Sequence, residues 1–172
     1  ARLREATGDC VTTFEYLPRI AVEFTVRHLP GVSDPLGAPH PAYVLCEVST
    51  ARHDPHLRGL LEDALGAAID HGDAIEATFA KSISQRQALW RLRESVPEAQ
   101  RHEGASIKHD VAVPVAALPA FLHKASAAVA RVAPSARVVA YGHVGDGNLH
   151  FNLSEPAGGG DRTAFLALQE YL

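Results

Sequence analysis

Near the C-terminal end of this 172-residue chain, the dipeptide Asp146-Gly147 separates two short runs of strand composition, Val138 to His143 and Leu149 to Leu153. Aspartate followed by glycine tolerates the positive φ that a tight hairpin turn demands. Two strands joined by so short a connection run antiparallel, because a parallel pair needs a crossover of a dozen or more residues. A wholly parallel, doubly wound sheet is therefore excluded, although strand-like and helix-like segments alternate along the chain. The expected fold class is α+β, an antiparallel sheet with helices packed on one face.

Apolar periodicity places the other elements. Val11 to Leu17 and Ala42 to Val48 have strand composition, and Pro18 suits the first turn of a helix running to about His28. The stretch 31–41 holds three prolines and two glycines and is expected to be a loop. Asp54 is placed to cap a helix from Pro55 to about His71, and Ala74 to Ala80 is expected to be a short strand. Ser82 or Ser84 caps a helix whose Leu89, Leu92, Val96 and Ala99 form one buried stripe, with a break expected at Pro97. Ala105 to Val113 is expected as a strand, Val115 to Val132 as a helix, and Arg162 to Leu172 as a last helix. Gly158-Gly159-Gly160 is expected to be a flexible connector rather than a phosphate cradle.

Charge and cysteine content narrow the functional classes. Lysine and arginine number 16 against 20 acidic residues, a net charge of −4, which argues against nucleic acid as a partner. No run reads as the roughly 20 apolar residues of a transmembrane segment, and no signal-peptide pattern opens the chain. The two cysteines, Cys10 and Cys46, are too few for a disulfide scaffold and lack metal-site spacing. A soluble, cytoplasmic domain is the expectation. The chain starts at Ala1 and stops within a helical pattern at Leu172, so residues 1–172 are expected to be a single domain truncated at both ends relative to an intact protein.

The chemistry concentrates in Tyr141 to Asn152. Centring the turn on Asp146-Gly147 pairs His143 with His150 and Tyr141 with Asn152 on one face of the hairpin. Opposed residues have Cβ atoms about 4.5–5.5 Å apart, close enough for two imidazoles to converge on a divalent cation. They can equally be half-exposed sheet residues, and two ligands leave a site incomplete, since a catalytic zinc takes three from the protein. Arg93, expected at the rim beside the buried stripe, and Lys108 could grip a carboxylate, arginine through two parallel hydrogen bonds and lysine as a point charge. His40, His53, His56, His102 and His109 have no partner in any motif and are expected to be surface or strand filler. Trp90 reads as a core or interface anchor.

The run Gly142-His143-Val144-Gly145-Asp146-Gly147-Asn148-Leu149-His150 resembles the signature of FAD-linked oxidases that act on D-2-hydroxy acids. D-lactate dehydrogenases, glycolate oxidase subunits and D-2-hydroxyglutarate dehydrogenases make up this group. Leu89-Trp90-Arg91-Leu92-Arg93-Glu94 resembles the family's Leu-Trp-x-x-Arg-Glu helix, and Lys108, Asp110 and Pro114 resemble its Lys-x-Asp-x-x-x-Pro strand. Phe14-Glu15-Tyr16 and Tyr43-Val44-Leu45 match weaker family positions.

The resemblance implies a C-terminal, substrate-capping domain with a ferredoxin-like fold. It implies a metal, zinc or a similar divalent ion, on His143 and His150, and a substrate held by Arg93, Lys108 and Asn152. Asn148 is implied to face the cofactor, FAD, most of which is held by an N-terminal flavin-binding domain. A third metal ligand and the catalytic base are implied beyond Leu172. The implied activity is oxidation of a D-2-hydroxy acid to a 2-oxo acid, with the electron acceptor left open. Pro97 stands where hydroxyglutarate-type sequences tend to carry a hydroxyl residue, which argues against that substrate in particular. The competing expectation is a non-catalytic ferredoxin-like module that binds a metal or an anion.

Overall fold

A computed structural model describes residues 2–51 and 54–170 of the chain. Helix α1 (Arg2–Ala6) precedes strand β1 (Val11–Pro18), helix α2 (Arg19–His28) and strand β2 (Ala42–Val48). Helices α3 (Leu57–Asp70), α4 (Ile83–Glu94) and α5 (Val96–His102) follow, then two short strands, β3 (Ser106–Ile107) and β4 (Asp110–Ala112). A 3-10 turn over Val115–Ala117 leads into α6 (Leu118–Val132), the hairpin strands β5 (Arg137–His143) and β6 (Asn148–Ser154), and α7 (Arg162–Ala167). The sheet runs β2-β1-β5-β6, with β3 and β4 both on the outer edge of β6, and every pairing is antiparallel. The expected α+β class and antiparallel sheet are what forms.

Strand alternation sorts the core into two layers. Leu17, Tyr43, Val139 and Tyr141 pack against Ala21, Val22 and Phe24 of α2, Leu92 of α4, and Val96 and Ala99 of α5. On the opposite face Ala140, Leu149, Phe151 and Leu153 pack with Ile107, with Leu118 and Val129 of α6, and with Phe165 of α7. The principal helix layer thus lies on one face, and α6 and α7 add cover to the other. The unbroken apolar run Val138-Val139-Ala140-Tyr141 is the sequence counterpart, since a strand buried on both faces loses its polar alternation.

Residues Val115–Val132, at 18 residues and mean hydropathy 1.2, meet the measure of a bilayer span by length and composition only. Here the segment packs as a sheet-covering helix, with Leu118 and Val129 buried and Phe121, Leu122 and Ala125 against the same core. His123, Lys124 and Arg131 lie on its exposed side.

Several local expectations are corrected. Residues 74–80 form no strand among the described residues; Glu76 instead ties this extended segment to the loop, accepting from the Gly37 amide at 3.0 Å and pairing with His40 Nε2 at 2.9 Å. Helix α3 starts at Leu57, because Asp54 spends its carboxylate on the His56 amide at 2.8 Å, closing a turn. The predicted break at Pro97 is present: α4 ends at Glu94 and Pro97 lies in the first turn of α5. Ser82 caps α4, its hydroxyl accepting from the Gln85 amide at 3.2 Å. The strand expected over 105–113 is interrupted at Lys108 and His109, yet Ile107↔Leu153 and Asp110↔His150 keep one register across the gap.

The hairpin register also differs from the expectation. His143 opposes Asn148 and Tyr141 opposes His150, a slip of two residues. Val144 is drawn away from Leu149 because its amide donates to Phe14 O on β1 at 2.9 Å. The loop then spans 144–147, closed by Gly147 N to His143 O at 3.1 Å and by the Asp146 carboxylate on the Asn148 amide at 3.0 Å. A slip of two preserves the face of every side chain, so His143 and His150 remain on the same side of the hairpin.

Candidate functional site

Two rows of residues cross the sheet at the hairpin end of the α2/α5-covered face. Glu15 of β1 opposes His143 of β5, which opposes Asn148 of β6. One step further in, Tyr141 opposes His150, which opposes Asp110 of β4. The two imidazoles are diagonal neighbours with ring centroids 6.3 Å apart. Helices do not close this end, and the side chains of His143 and His150 are 48% and 32% exposed.

Each histidine rests its Nδ1 on a carboxylate. His143 pairs with Glu15 Oε1, and His150 with Asp110 Oδ1 at 2.5 Å. An ionised carboxylate only accepts, so a neutral ring held this way would carry its proton on Nδ1 and keep its lone pair on Nε2. Among the described residues no hydrogen bond engages either Nε2. Carboxylate on one nitrogen and lone pair on the other is how protein-bound metals have their histidines oriented.

Arg93 closes the arrangement from above. It lies in the last turn of α4, only 7% exposed, and its Nε donates to Glu15 Oε2 at 2.6 Å. The expected rim position is thus corrected to a buried one, because a fully buried carboxylate on the facing strand draws the guanidinium inward. The guanidinium also sits 5.0 Å over the Tyr141 ring, which lies 5.0 Å from the His150 ring. Burial pushes the Tyr141 phenol above its usual range and Asp110 adds to this, with Arg93 and the Asn152 hydrogen bond opposing.

The remaining sequence candidates divide. Lys108 is exposed, and the register shared by β3 and β4 sets it opposite Asn152, on the histidine face. Asn148 is exposed at the open end, directly across from His143. Asn152 is 3% exposed and enclosed, its Nδ2 donating to Gln100 Oε1 at 3.0 Å, while Gln100 Nε2 donates to Ser154 Oγ at 3.1 Å. His53 lies outside the described residues. His40 and His109 take structural roles, His40 on Glu76 and His109 passing its carbonyl to the Phe151 amide at 2.7 Å. Trp90 anchors α4 to β2, its indole donating to Glu47 at 2.7 Å.

Glu15 was not singled out as a site residue, although one signal marks it: a lone acid inside the apolar strand VTTFEYLP, at a position facing the core. Such a residue needs a charged partner across the sheet or above it.

How well the pair suits a metal can be judged from ring geometry. With bonds of about 2.0–2.1 Å, each ring centre lies about 3.2 Å from the ion, and a tetrahedral angle puts the two centres about 5.2 Å apart. The observed 6.3 Å is about 1 Å wider, within reach of small side-chain rotations. No group of three or more His, Cys, Asp or Glu side chains among the described residues is placed to hold an ion. The donor chemistry therefore fits half of a metal site.

The combination of these histidines with a buried arginine can be set against known proteins. Residues 1–164 match the family described as FAD linked oxidases, C-terminal domain. The chain belongs to this family. It is 33% identical over 151 residues to a probable D-2-hydroxyglutarate dehydrogenase, mitochondrial, of Oryza sativa subsp. indica, covering 87% of the chain and 26% of that protein. It is 32% identical over 147 residues to D-2-hydroxyglutarate dehydrogenase, mitochondrial, of Arabidopsis thaliana, with 86% and 26% covered. The D-2-hydroxyglutarate dehydrogenase of Xanthomonas citri pv. viticola is 34% identical over 143 residues, with 83% and 29% covered. The chain spans about a quarter of the length of these relatives.

Proposed function

We propose that this domain forms the substrate cap of a FAD-dependent dehydrogenase that oxidises a D-2-hydroxy acid to a 2-oxo acid. The observation that carries the reading is the pair of imidazoles His143 and His150, each resting Nδ1 on a carboxylate, on one open sheet face beside the buried Arg93. His143 and His150 would hold a divalent ion, zinc or one like it, with a third donor from outside the described residues. A bound divalent ion and a bound flavin would supply, respectively, the charge that acidifies an α-hydroxyl and the acceptor for the hydride.

The chain's own residues bind and orient. Arg93 spends its Nε on Glu15, so its Nη groups would be the ones to take a substrate carboxylate. Lys108, across from Asn152, adds a second cation without fixed geometry. Tyr141, packed between Arg93 and His150, keeps water out from under both. Asn148, exposed at the open end across from His143, would face the flavin. Asn152 acts through Tyr141 and Gln100. The relatives carry the hydroxyglutarate name, and Pro97 leaves the choice among D-2-hydroxy acids to experiment.

The test is flavin bleaching in the full-length protein, mixed without oxygen with a panel of D- and L-2-hydroxy acids. At least one D-isomer should reduce the flavin, and His143→Ala or His150→Ala should slow this by at least about a hundredfold with the flavin still bound. Near-wild-type reduction in either variant would remove the histidines from the site, and no reduction by any D-acid would favour a non-catalytic binding module.

A further inference from the structure

We infer that Glu15 is a positioning residue that locks the tautomer of His143 and, through the same carboxylate, fixes Arg93 relative to it. The inference rests on the histidine-pair reading above and extends it to a residue with no contact to substrate or metal. Glu15 is 1% exposed, and its two oxygens are divided: Oε2 accepts from Arg93 Nε at 2.6 Å, and Oε1 from His143 Nδ1. The ion pair with Arg93 is enough to explain why a carboxylate is tolerated inside the sheet. The bond to His143 is not needed for that. His143 is half exposed, so burial does not oblige its ring to find a protein partner.

The second histidine repeats the arrangement with a different acid, from a different strand and at a different depth. Asp110, 77% exposed, takes His150 Nδ1. Two half-exposed histidines that rest Nδ1 on carboxylates of opposite burial are what ligand orientation demands and what packing alone does not. Glu15 differs from Asp110 in being shared with the cation. The imidazole and the guanidinium are thereby held at one fixed separation, one hydrogen bond on either side of a single carboxylate.

Glu15→Gln tests this, since an amide has one oxygen to share between two donors. In the wild-type chain, two-bond nitrogen–proton correlations recorded well above the imidazole titration range should show His143 protonated on Nδ1 alone. Calorimetric titration with Zn²⁺ alone should give an affinity that falls about 10- to 100-fold in Glu15→Gln, with His143 becoming a mixture of tautomers and His150 unchanged. Wild-type His143 protonated on Nε2 would overturn the inference, as would Glu15→Gln with a pure Nδ1–H tautomer and unchanged zinc affinity. Should Glu15→Gln fail to fold, the wild-type tautomer decides. The metal reading fails separately: if His143→Ala leaves zinc affinity unchanged, the histidine pair is not a metal site, and the tautomer spectra still judge Glu15.

Discussion

At the residue scale, Gly147 and Gly142 hold the hairpin end in shape. A Cβ on Gly147, whose φ is +82°, would stand 2.0 Å from Val113 O, and the Val113 amide donates to Gly147 O at 3.0 Å. Gly142, at φ +149°, would place a Cβ 2.8 Å from Asn148 O. These contacts draw β4 and β6 against the turn and so hold Asp110 under His150. Gly147→Ala should destabilise the chain by roughly 1–3 kcal/mol from the backbone conformation alone, and more from the displaced β4. Urea denaturation measures the loss; an unchanged midpoint would mean that the turn does not lie against Val113. The histidines' shared face was legible in the sequence because it depends only on parity along the strand. Their register was not, because the slip of two comes from the Val144 amide bonding to β1, a neighbour that the hairpin's own residues do not announce.

At the scale of elements, the break at Pro97 and three members of the expected stripe, Leu92, Val96 and Ala99, were legible because proline chemistry and 3.6-residue spacing are local, whereas Leu89 is only half-buried. The strand expected at 74–80 failed for the complementary reason. Its composition suits a strand, but it pairs with no strand among the described residues, and Glu76 fastens it to residues 37–40 instead. Long-range ion pairs were equally invisible, and one of them joins three elements. Glu103, after α5, accepts from Arg27 Nη1 at 2.7 Å and His28 Nε2 at 2.6 Å of α2, and from Arg137 of β5. Burial works against its charge, yet the hydrogen bonds from Arg137, His28 and Arg27 prevail and hold its carboxyl at about 2, below the ordinary 4.5. Because the folded value is depressed, the stability is complete above about pH 4.5 and is lost as pH falls toward 2. Allowing for solvent screening, it amounts to about 1–3 kcal/mol. Glu103→Gln should lower the melting temperature at neutral pH and flatten the stability profile between those limits. An identical acid limb in the variant would show that Glu103 does not link α2 to β5.

At the scale of the whole molecule, the sheet divides into a closed part and an open end. Helices α2, α4 and α5 bury Leu17, Val139 and Tyr141, whereas His143, Asn148 and His150 stand at the uncovered edge of the same face. On the proposed reading that edge would meet a flavin domain, and a third metal donor would come from outside the described residues; the chain spans about a quarter of the length of its relatives. Two imidazoles chelate less firmly than three ligands and leave the ion open to a competitor. The 172-residue chain should therefore lose Zn²⁺ to a chelator rapidly, carry no flavin absorbance after purification and reduce no dye with D-2-hydroxy acids. Full-length protein should retain its metal under the same chelator challenge and lose hydroxy-acid oxidation only as the metal leaves, with the flavin spectrum intact. Metal content and flavin absorbance read on the same samples separate the two cofactors. Equal resistance to the chelator in chain and full-length protein would mean that the 172 residues already complete the site, and the third donor would have to be sought within them.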